Sequence, residues 1–263
     1  MTALLTVKNL SYNRKTRKNW WQKPEEFIVG PINFELNSGE TLAVIGDNGS
    51  GKTTVANLLS GVHPPSEGQI LLNGQKLRQR NPKQRSLNIR MIFQHSKESL
   101  NPVLTVGTIL EEPLKLNTNL DANERQAKIF STLRQVGLLT EHVHFYRHML
   151  SDGQRQRVVL ARALILNPQI IVADEPFAAL DPSVRSQMVN LFMRLQRELG
   201  LSYIFISHNL GIVRHISDRM LILQNGKVIE SGKTEVVFNW PKSDYVKKLL
   251  HAHQSLLLRK LLD

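Results

Sequence analysis

The sequence predicts an α/β fold built around a phosphate-binding loop, with antiparallel β segments near its start and an inserted block of helices. Strand-like apolar runs alternate with helix-like segments along most of the 263 residues. A glycine-rich run, GDNGSGKTT, directly follows one of these strands. From about residue 96 to residue 165 helix patterns replace strand patterns, which indicates a helical subdomain that interrupts the sheet.

The composition excludes several kinds of site and leaves the partner open. The chain has no cysteine, so disulfides, zinc–thiolate sites and cysteine-ligated iron–sulfur clusters are excluded. No apolar run approaches the roughly 18–20 residues that a membrane span needs, and we expect no signal peptide. The net charge of +12 suits a nucleotide, a nucleic acid or an acidic membrane surface, and does not choose among them.

The first part of the chain is expected to form strands. The runs LLTVKNL and INFELN alternate in polarity, and TLAVIG is a short apolar strand that ends at Gly46. A helix is expected from about Gly51. The run GQILLNGQKL predicts a hairpin with its turn at Asn73–Gly74, and IRMIFQ predicts a strand that ends at Gln94.

The later part alternates helices and strands. Two helix patterns, TVGTILEEPLKL and DANERQAKIFSTLRQVGLL, fill the helical subdomain, and Asp121 with Glu124 predicts a capping box for the second. The run MLSDGQRQRVVLARAL predicts a helix with a small polar tip. The strand QIIVADE, a helix over 182–199, the strand SYIFISH, a hairpin in RMLILQNGKVIESG and a helical tail follow.

The glycine-rich run has the spacing and the strand–loop–helix context of a phosphate-binding loop. Glycines let the backbone wrap a phosphate closely, and amides at a helix start favour negative charge. We expect Lys52 to reach the β- and γ-phosphates of a nucleotide and the Thr53 hydroxyl to bind Mg²⁺. The alternative is a glycine-rich turn without a ligand. The predicted nucleotide-binding residues are Gly46, Asp47, Asn48, Gly49, Ser50, Gly51, Lys52, Thr53 and Thr54.

Two acidic residues end the apolar strand QIIVADE. Asp174 is expected to hold Mg²⁺, and Glu175 is expected to polarise the attacking water. Without the phosphate loop they would be two ordinary strand-end carboxylates. His208 and Gln94, each at the end of another predicted strand, carry little meaning alone.

Taken together, these motifs resemble the ATP-binding subunit of an ABC transporter, from about residue 4 to residue 232. In chain order the matching motifs are the phosphate loop, a Q-loop at Gln94, the signature LSDGQ at 150–154, the Walker B strand with Asp174 and Glu175, a D-loop ending at Asp181, and a switch His208. The resemblance implies an ABC cassette over 1–235 with a C-terminal helical extension over 236–263. It also implies ATP and Mg²⁺ as cofactors, with Glu175, His208 and Gln94 acting in hydrolysis and Gln94 also touching Mg²⁺.

In this family two subunits pack head to tail, and the signature of one contacts the ATP held by the other. The residues that match the signature are Ser151, Asp152, Gly153 and Gln154. Asp152 replaces a glycine of the usual LSGGQ, and a carboxylate near a phosphate is unfavourable unless it points away. One hypothesis is a weakened composite site, with a different ATPase subunit as partner in a heterodimer. The other is that Asp152 faces solvent without effect.

The family also stacks adenine on an aromatic side chain near residue 14. This chain has Arg14 there, and Tyr12 lies on the same strand face two residues earlier. We therefore name Tyr12 as the candidate base-stacking residue, with Arg14 as the alternative.

Three runs resemble the peptide and nickel importer branch of the family: FQHSKESLNPVLTVG, YRHMLSDGQRQRVVLARAL and the tail NWPKSDYVKKLL. The altered signature and the basic N-terminal loop look most like Sap-type subunits, which are linked to uptake of antimicrobial peptides. The resemblance implies peptide import through two membrane permease subunits that dock on the helical subdomain. A substrate-binding protein would take part indirectly, and the chain would lie at the cytoplasmic face of the inner membrane as a peripheral protein.

Several interpretations stay open. His142, His144 and His148 are expected in a solvated loop rather than at a metal. The basic segment 13–26, with Trp20 and Trp21, either contacts anionic headgroups or is an insertion between strands. The rival functions are a non-transport ABC ATPase acting on nucleic acid and a mainly regulatory nucleotide-binding subunit. We expect no nucleic-acid partner, because the chain has one cassette and no heptad array.

Overall fold

The structure, a computed structural model, describes residues 3–16, 25–77, 82–94, 96–178 and 180–252. The chain forms two compact units. Unit 1 contains Met1–Gln79 and Ile204–Asp263, and unit 2 contains Arg80–Tyr203. The limits predicted from the sequence, an ABC cassette over 1–235 and a helical extension over 236–263, remain predictions.

The described residues contain ten strands and nine α-helices, counting the tail helix with which the described part of the chain ends. The strands are β1 (Leu5–Thr16), β2 (Glu25–Leu36), β3 (Thr41–Gly46), β4 (Glu67–Leu72), β5 (Gln75–Lys76), β6 (Ile89–Ile92), β7 (Ile170–Asp174), β8 (Ser202–Ile206), β9 (Arg219–Gln224) and β10 (Lys227–Lys233). The helices are α1 (Lys52–Ser60), α2 (Pro82–Asn88), α3 (Val106–Asn117), α4 (Ala122–Gln135), α5 (Asp152–Leu164), α6 (Pro182–Leu199), α7 (Leu210–Ile216) and α8 (Thr234–Asn239). A further helical segment, the tail helix, covers residues 244–252.

Unit 1 contains an antiparallel sheet with the strand order β2-β1-β4-β5. The hairpin between β4 and β5 turns at Asn73–Gly74, both with positive φ, as the sequence predicted. Tyr12 pairs with Val29 and Thr16 pairs with Glu25, so β1 and β2 extend into the segment expected to be a loop. That expectation is wrong at both ends of the segment, because backbone pairing in a hairpin does not require an apolar pattern. Residues 17–24, including both tryptophans, lie outside the described residues.

The other strands of unit 1 carry the phosphate loop. β3 pairs in parallel with β9, from Leu42 opposite Arg219 to Gly46 opposite Leu223. β9 forms the predicted hairpin with β10, and residues 204–206 of β8 lie on the other side of β3. All six residues of β3 are buried, as expected for a central strand covered on both faces.

In unit 2, β6 and β7 pair in parallel, from Ile89 opposite Ile170 to Ile92 opposite Ala173. The helices α3, α4, α5 and α6 belong to the same unit, and α5 contacts each of the other three. The capping box of α4 is confirmed. Asp121 Oδ1 accepts the Glu124 N–H at 2.9 Å, and Glu124 Oε2 accepts the Asp121 N–H at 2.7 Å.

Two predicted strand ends are wrong by two residues. β6 ends at Ile92 and β8 at Ile206, so Gln94 and His208 lie in the turns that follow these strands. Phe93 is 46% exposed, which shows that the chain has already left the buried sheet there. The helices α2, α7 and α8 were not predicted, because each has six or seven residues and lacks a full amphipathic repeat.

The tail helix is part of the core of unit 1. Val246 and Leu250 are buried in one apolar cluster with Ile45 of β3 and Ile222 of β9. The buried Glu230 carboxylate accepts the backbone N–H groups of residues 242 and 243, at 3.0 and 2.9 Å, just before the tail helix begins. Burial and capping together bring the tail helix to the carboxyl end of β3.

Candidate functional site

The predicted phosphate loop connects β3 to α1. Gly51 has φ 103° at the N-cap of α1, and an ideal Cβ there would lie 2.8 Å from a methyl group of Val29, so glycine is required. Lys52 Nζ donates to the carbonyls of Gly46 and Asp47, each at 2.8 Å. Ser50 Oγ is buried and has no hydrogen-bond partner among the described residues. A cationic donor and an orphaned hydroxyl at a helix start fit a phosphate ligand.

A turn from another part of unit 1 holds this loop in place. The Gly226 N–H, in the turn between β9 and β10, donates to the Ser50 carbonyl at 3.0 Å, and the Gly226 carbonyl accepts the Gly30 N–H at 2.8 Å. An ideal Cβ at Gly226 would lie 2.1 Å from the Ile28 carbonyl oxygen. Only glycine therefore lets the turn approach the loop this closely.

The tail helix also contacts the phosphate loop. Tyr245 Oη accepts the Asp47 backbone N–H at 3.1 Å. Burial and, after it, the neighbouring Asp47 together raise the pKa of Tyr245 to about 12, so the hydroxyl is neutral at physiological pH. A cavity of about 280 Å³ beside the loop is lined by Leu249, the exposed His208 and residues 46–48, among others. Unit 1 thus places the predicted switch histidine at the phosphate loop.

Tyr12 is half-buried in β1 of unit 1 and stacks on the ring of His63. The two ring centroids are 5.4 Å apart and the rings are 18° from parallel. Arg14 is exposed on the same strand. One face of the Tyr12 ring is therefore covered by His63.

In unit 2, the acidic pair stands at the end of β7. Asp174 is 1% exposed, and the half-buried Glu175 has φ 47°, a left-handed conformation that is unusual for a residue other than glycine. Such backbone strain concentrates at functional sites. Gln94 follows the neighbouring parallel strand and is exposed. Both strands present their carboxyl ends at the same edge, where ligands bind in α/β sheets.

The predicted signature forms the start of α5. Ser151 is the N-cap: its Oγ accepts the Gln154 N–H at 3.3 Å, while Gln154 Oε1 accepts the Ser151 N–H at 2.9 Å. The polar tip expected from the sequence is therefore a capping box. Asp152 Oδ1 lies 3.1 Å from a guanidinium nitrogen of Arg155, one turn along the same helix. An ideal Cβ at Gly153 would lie 3.1 Å from Val184 of α6.

The remaining candidates lie close by in the sequence. Asp181 is exposed and precedes α6, and its carbonyl accepts the Arg185 N–H at 2.8 Å. Ala179 of the predicted D-loop lies outside the described residues. The prediction that the three histidines lie in a solvated loop is wrong for His142, which is buried. His144 and His148 are exposed, as that prediction requires. Within the described ranges, no group of three or more His, Cys, Asp or Glu side chains is placed to hold a metal ion.

A family model described as "ABC transporter" matches residues 29–178. The chain belongs to the ABC transporter family. It is 45% identical to the peptide transport system ATP-binding protein SapF of Escherichia coli O6:H1, over 95% of this chain and 94% of the relative. The equally identical SapF of E. coli K12 is named a putrescine export system ATP-binding protein. The dipeptide transport ATP-binding protein DppF of E. coli K12 is 46% identical over 87% of this chain and 70% of the relative.

Solved structures of ABC ATPases share this fold. CbiO1 from Clostridium perfringens, part of the transporter complex cbiONQ, superimposes with a TM-score of 0.77 at 28% identity, covering 90% of this chain and 91% of its own. The cassette MJ0796, a dimer bound to ADP and Pi in a post-hydrolysis state, gives a TM-score of 0.75 at 28% identity, over 88% and 98%. The predicted fold class, a P-loop ABC cassette with an antiparallel β subdomain and an inserted helical subdomain, is confirmed. As an ABC ATPase, the chain binds and hydrolyses ATP.

Unit 2 of this ABC ATPase holds a second cavity, of about 330 Å³, lined mainly by α3 and the segment before it. Two arginines, Arg90 and Arg162, line it, and burial lowers the pKa of each. Leu116, which also lines it, is 78% exposed, and Val103 is 75% exposed. Among the described helices, none is long and apolar enough to cross a membrane.

The sequence analysis did not identify four residues that contact the candidate site residues: Gly226, Tyr245, Gln156 and His142. Gln156 of α5 donates to the Pro176 carbonyl at 2.9 Å in a buried hydrogen bond, directly after Glu175. Tyr245 matched the tail of the importer branch, which was the one signal available. Nothing in the local pattern around Gln156 or His142 points to their distant partners.

Proposed function

We propose that this ABC ATPase powers the import of peptides through a membrane permease. The observation that carries the proposal is the 45% identity along 95% of the chain to subunits named for peptide transport. Relatives named for dipeptide and oligopeptide transport support the same cargo class, at 46% and 44% identity. Antimicrobial peptides are the cargo that the Sap-type resemblance favours.

The residues of unit 1 are proposed to hold ATP. The amides of residues 49–54 and the Lys52 ammonium would bind the phosphates, and the unpaired Ser50 hydroxyl supports this assignment. Tyr12 would stack on adenine with the ring face opposite His63. The family resemblance assigns Mg²⁺ binding to Thr53, whose side chain is exposed at the start of α1, and to Gln94 and Asp174 of unit 2. When bound, Mg²⁺ neutralises charge on the phosphates.

Glu175 is the proposed base that orients water for hydrolysis. The strained backbone at φ 47° supports this role, because such strain persists only where the surrounding structure imposes it. His208 would contact the terminal phosphate, and its position beside the phosphate loop supports that contact. Gln94, in the turn after β6, would sense bound nucleotide.

We further propose an assembly with a second, different ATPase subunit and two permease subunits at the cytoplasmic face of the inner membrane. The signature residues Ser151, Asp152, Gly153 and Gln154 would contact ATP held by the other ATPase subunit, with Asp181 near it. The exposed Leu116, which lines the cavity of unit 2, and the exposed Val103, in the segment before α3, support docking of a permease helix on this unit. A substrate-binding protein would deliver cargo to the permease.

Putrescine export is a second candidate, because one relative with the same 45% identity carries that name. Cargo passes through the permease, so residues of an ATPase subunit do not discriminate between a peptide and a diamine. A transport assay in the native cells separates the two candidates. Loss of this chain would lower uptake of a labelled peptide in one case and slow efflux of labelled putrescine in the other.

The experiment that tests the assembly is purification of the Glu175→Gln protein from its own membranes with Mg-ATP. Glu175→Gln removes the proposed base and should accumulate the ATP-bound complex. Two permease subunits and a distinct ATPase among the co-purifying proteins would support the proposal. A homodimer free of membrane proteins, or a complex containing nucleic acid, would refute it.

A further inference from the structure

His142 lies outside the signature and is buried, with 6% of its surface exposed. Its ring packs at 45° on the Phe145 ring, with the centroids 4.8 Å apart. Its Nδ1 lies 3.1 Å from both the Leu139 backbone nitrogen and the Leu139 carbonyl oxygen, and its Nε2 lies 3.1 Å from Nε2 of Gln154. Both ring nitrogens therefore face specific partners.

One neighbouring donor faces each ring nitrogen: the Leu139 backbone N–H at Nδ1 and the Gln154 side chain at Nε2. A neutral imidazole can accept from only one of them. The Ser151 backbone N–H can only donate and lies 2.9 Å from the side-chain oxygen of Gln154, so the amide oxygen must face Ser151. The NH₂ group of Gln154 then faces His142 and can only donate. The Gln154 contact therefore requires the tautomer with the proton on Nδ1, which donates to the Leu139 carbonyl, whereas acceptance of the Leu139 N–H would put the proton on Nε2.

We propose that His142 is a positioning residue for the signature. Its Nε2 holds the NH₂ group of Gln154, which aims the amide oxygen at the Ser151 N–H and closes the capping box of α5. Without this acceptor the amide of Gln154 is free to rotate, and the Ser151 N–H loses a fixed partner. The start of α5 is thus arranged within one subunit, before any partner's nucleotide is present.

The segment that carries His142 is itself held against α3. The Val106 N–H donates to the Phe145 carbonyl at 2.9 Å. An ideal Cβ at Gly107 would lie only 2.5 Å from a methyl group of Val143, so the glycine lets this segment pack tightly on the first turn of α3. The imidazole therefore has a fixed position from which to hold Gln154.

The histidine tautomer tests the proposal directly. A long-range ¹H–¹⁵N spectrum of the full chain at alkaline pH should show the His142 ring as the Nδ1–H tautomer. Replacing the donor by Gln154→Met should release this preference. A ring protonated on Nε2 in the wild-type chain would overturn the proposal.

Amide exchange gives a second test, with two variants of one residue. His142→Phe keeps an aromatic ring but removes the acceptor, and His142→Gln restores an acceptor near the position of Nε2. Exchange of the Ser151 amide should quicken about two- to tenfold in His142→Phe, and most of this change should be reversed in His142→Gln. His144→Gln, at an exposed histidine two residues away, should change nothing. Unaltered Ser151 exchange in a folded His142→Phe protein would contradict the proposal.

The consequence for catalysis rests on the proposed function, and it is measured separately. In the complex purified from native membranes, His142→Phe should lower ATP turnover about tenfold or more, while mant-ATP affinity of the isolated chain stays within about twofold. His142→Gln should recover most of the turnover. If tautomer and exchange behave as expected but turnover does not fall, His142 still positions Gln154, and the assigned role of the signature in turnover fails.

Discussion

Tyr245 and Asp47 lie 198 residues apart in the chain, and the Tyr245 hydroxyl accepts the Asp47 backbone N–H at 3.1 Å. This hydrogen bond joins the tail helix to the phosphate loop. The buried Val246 and Leu250 hold the tail helix against β3 and β9, so the Tyr245 hydroxyl has a fixed position beside the phosphate loop. The tail is therefore packed against the proposed nucleotide site.

Removing this hydroxyl should loosen the phosphate loop. We expect Tyr245→Phe to weaken mant-ATP binding about two- to tenfold, because the Asp47 N–H loses its acceptor while the aromatic ring is kept. Tyr203→Phe is the control, since Tyr203 donates its hydroxyl to the Phe192 carbonyl inside unit 2. Equal ATP affinity in Tyr245→Phe and wild type would show that the tail contact does not shape the loop.

The same hydroxyl predicts an alkaline effect on stability. The pKa of Tyr245 is raised from the ordinary value of 10.0 to about 12, so the folded state holds this proton more tightly than the unfolded state. Its contribution to stability is fully present below pH 10 and is lost as the pH rises through about 12. Chemical denaturation at a series of alkaline pH values should therefore show a shallower loss of stability in Tyr245→Phe than in wild type.

Gln156 joins the signature helix to the loop that follows the proposed base. We expect Gln156→Leu to cost about 1–3 kcal/mol of stability, because the buried Pro176 carbonyl loses its donor. Turnover should fall while ATP affinity is kept, because the altered contact lies beside Glu175 and not at the phosphate loop. Gln187→Leu, at an exposed position on α6, is the matched control. Wild-type turnover in a folded Gln156→Leu protein would show that Gln156 does not support the loop that carries Glu175.

Mutation of the ion pair between Asp152 and Arg155 tests the two hypotheses for the altered signature, a weakened composite site or an Asp152 that faces solvent without effect. If the guanidinium compensates the carboxylate, Arg155→Ala should lower turnover of the complex several-fold, and adding Asp152→Gly should restore part of it. Because the pair is partly exposed, its loss should change stability by only about 0.2–1 kcal/mol. Turnover is compared in all four members of the double-mutant cycle. Additive effects would mean that Asp152 has no influence on the composite site.

The exposed Leu116 tests the proposed permease surface. A charge placed on an apolar contact would be buried without a partner on docking, so Leu116→Asp should abolish or strongly reduce co-purification of permease subunits. ATP affinity of the isolated chain should be unchanged. Leu199→Asp makes the same change at an exposed leucine at the end of α6 and should have no effect on assembly. Full recovery of permease with Leu116→Asp would place the docking surface elsewhere.

Local patterns in the sequence predicted the features whose partners are close in the chain. The phosphate loop between a strand and a helix, the capping box of Asp121 with Glu124, and the polar start of α5 all depend on residues within about one turn of each other. Periodicity likewise located most strands and long helices. It failed at the ends of β6 and β8, where sheet pairing rather than side-chain pattern decides where a strand stops.

Only the tertiary structure decided how these features are held. Gly226 reaches Ser50, Tyr245 reaches Asp47, and His142 reaches Gln154, and in each case the two partners belong to different elements. Such contacts depend on which apolar faces are buried together, and a hydrophobic pattern specifies that a face is buried without naming its neighbour. The sequence by itself therefore determined the chemistry of the site, and long-range packing determined the second set of residues that orient it.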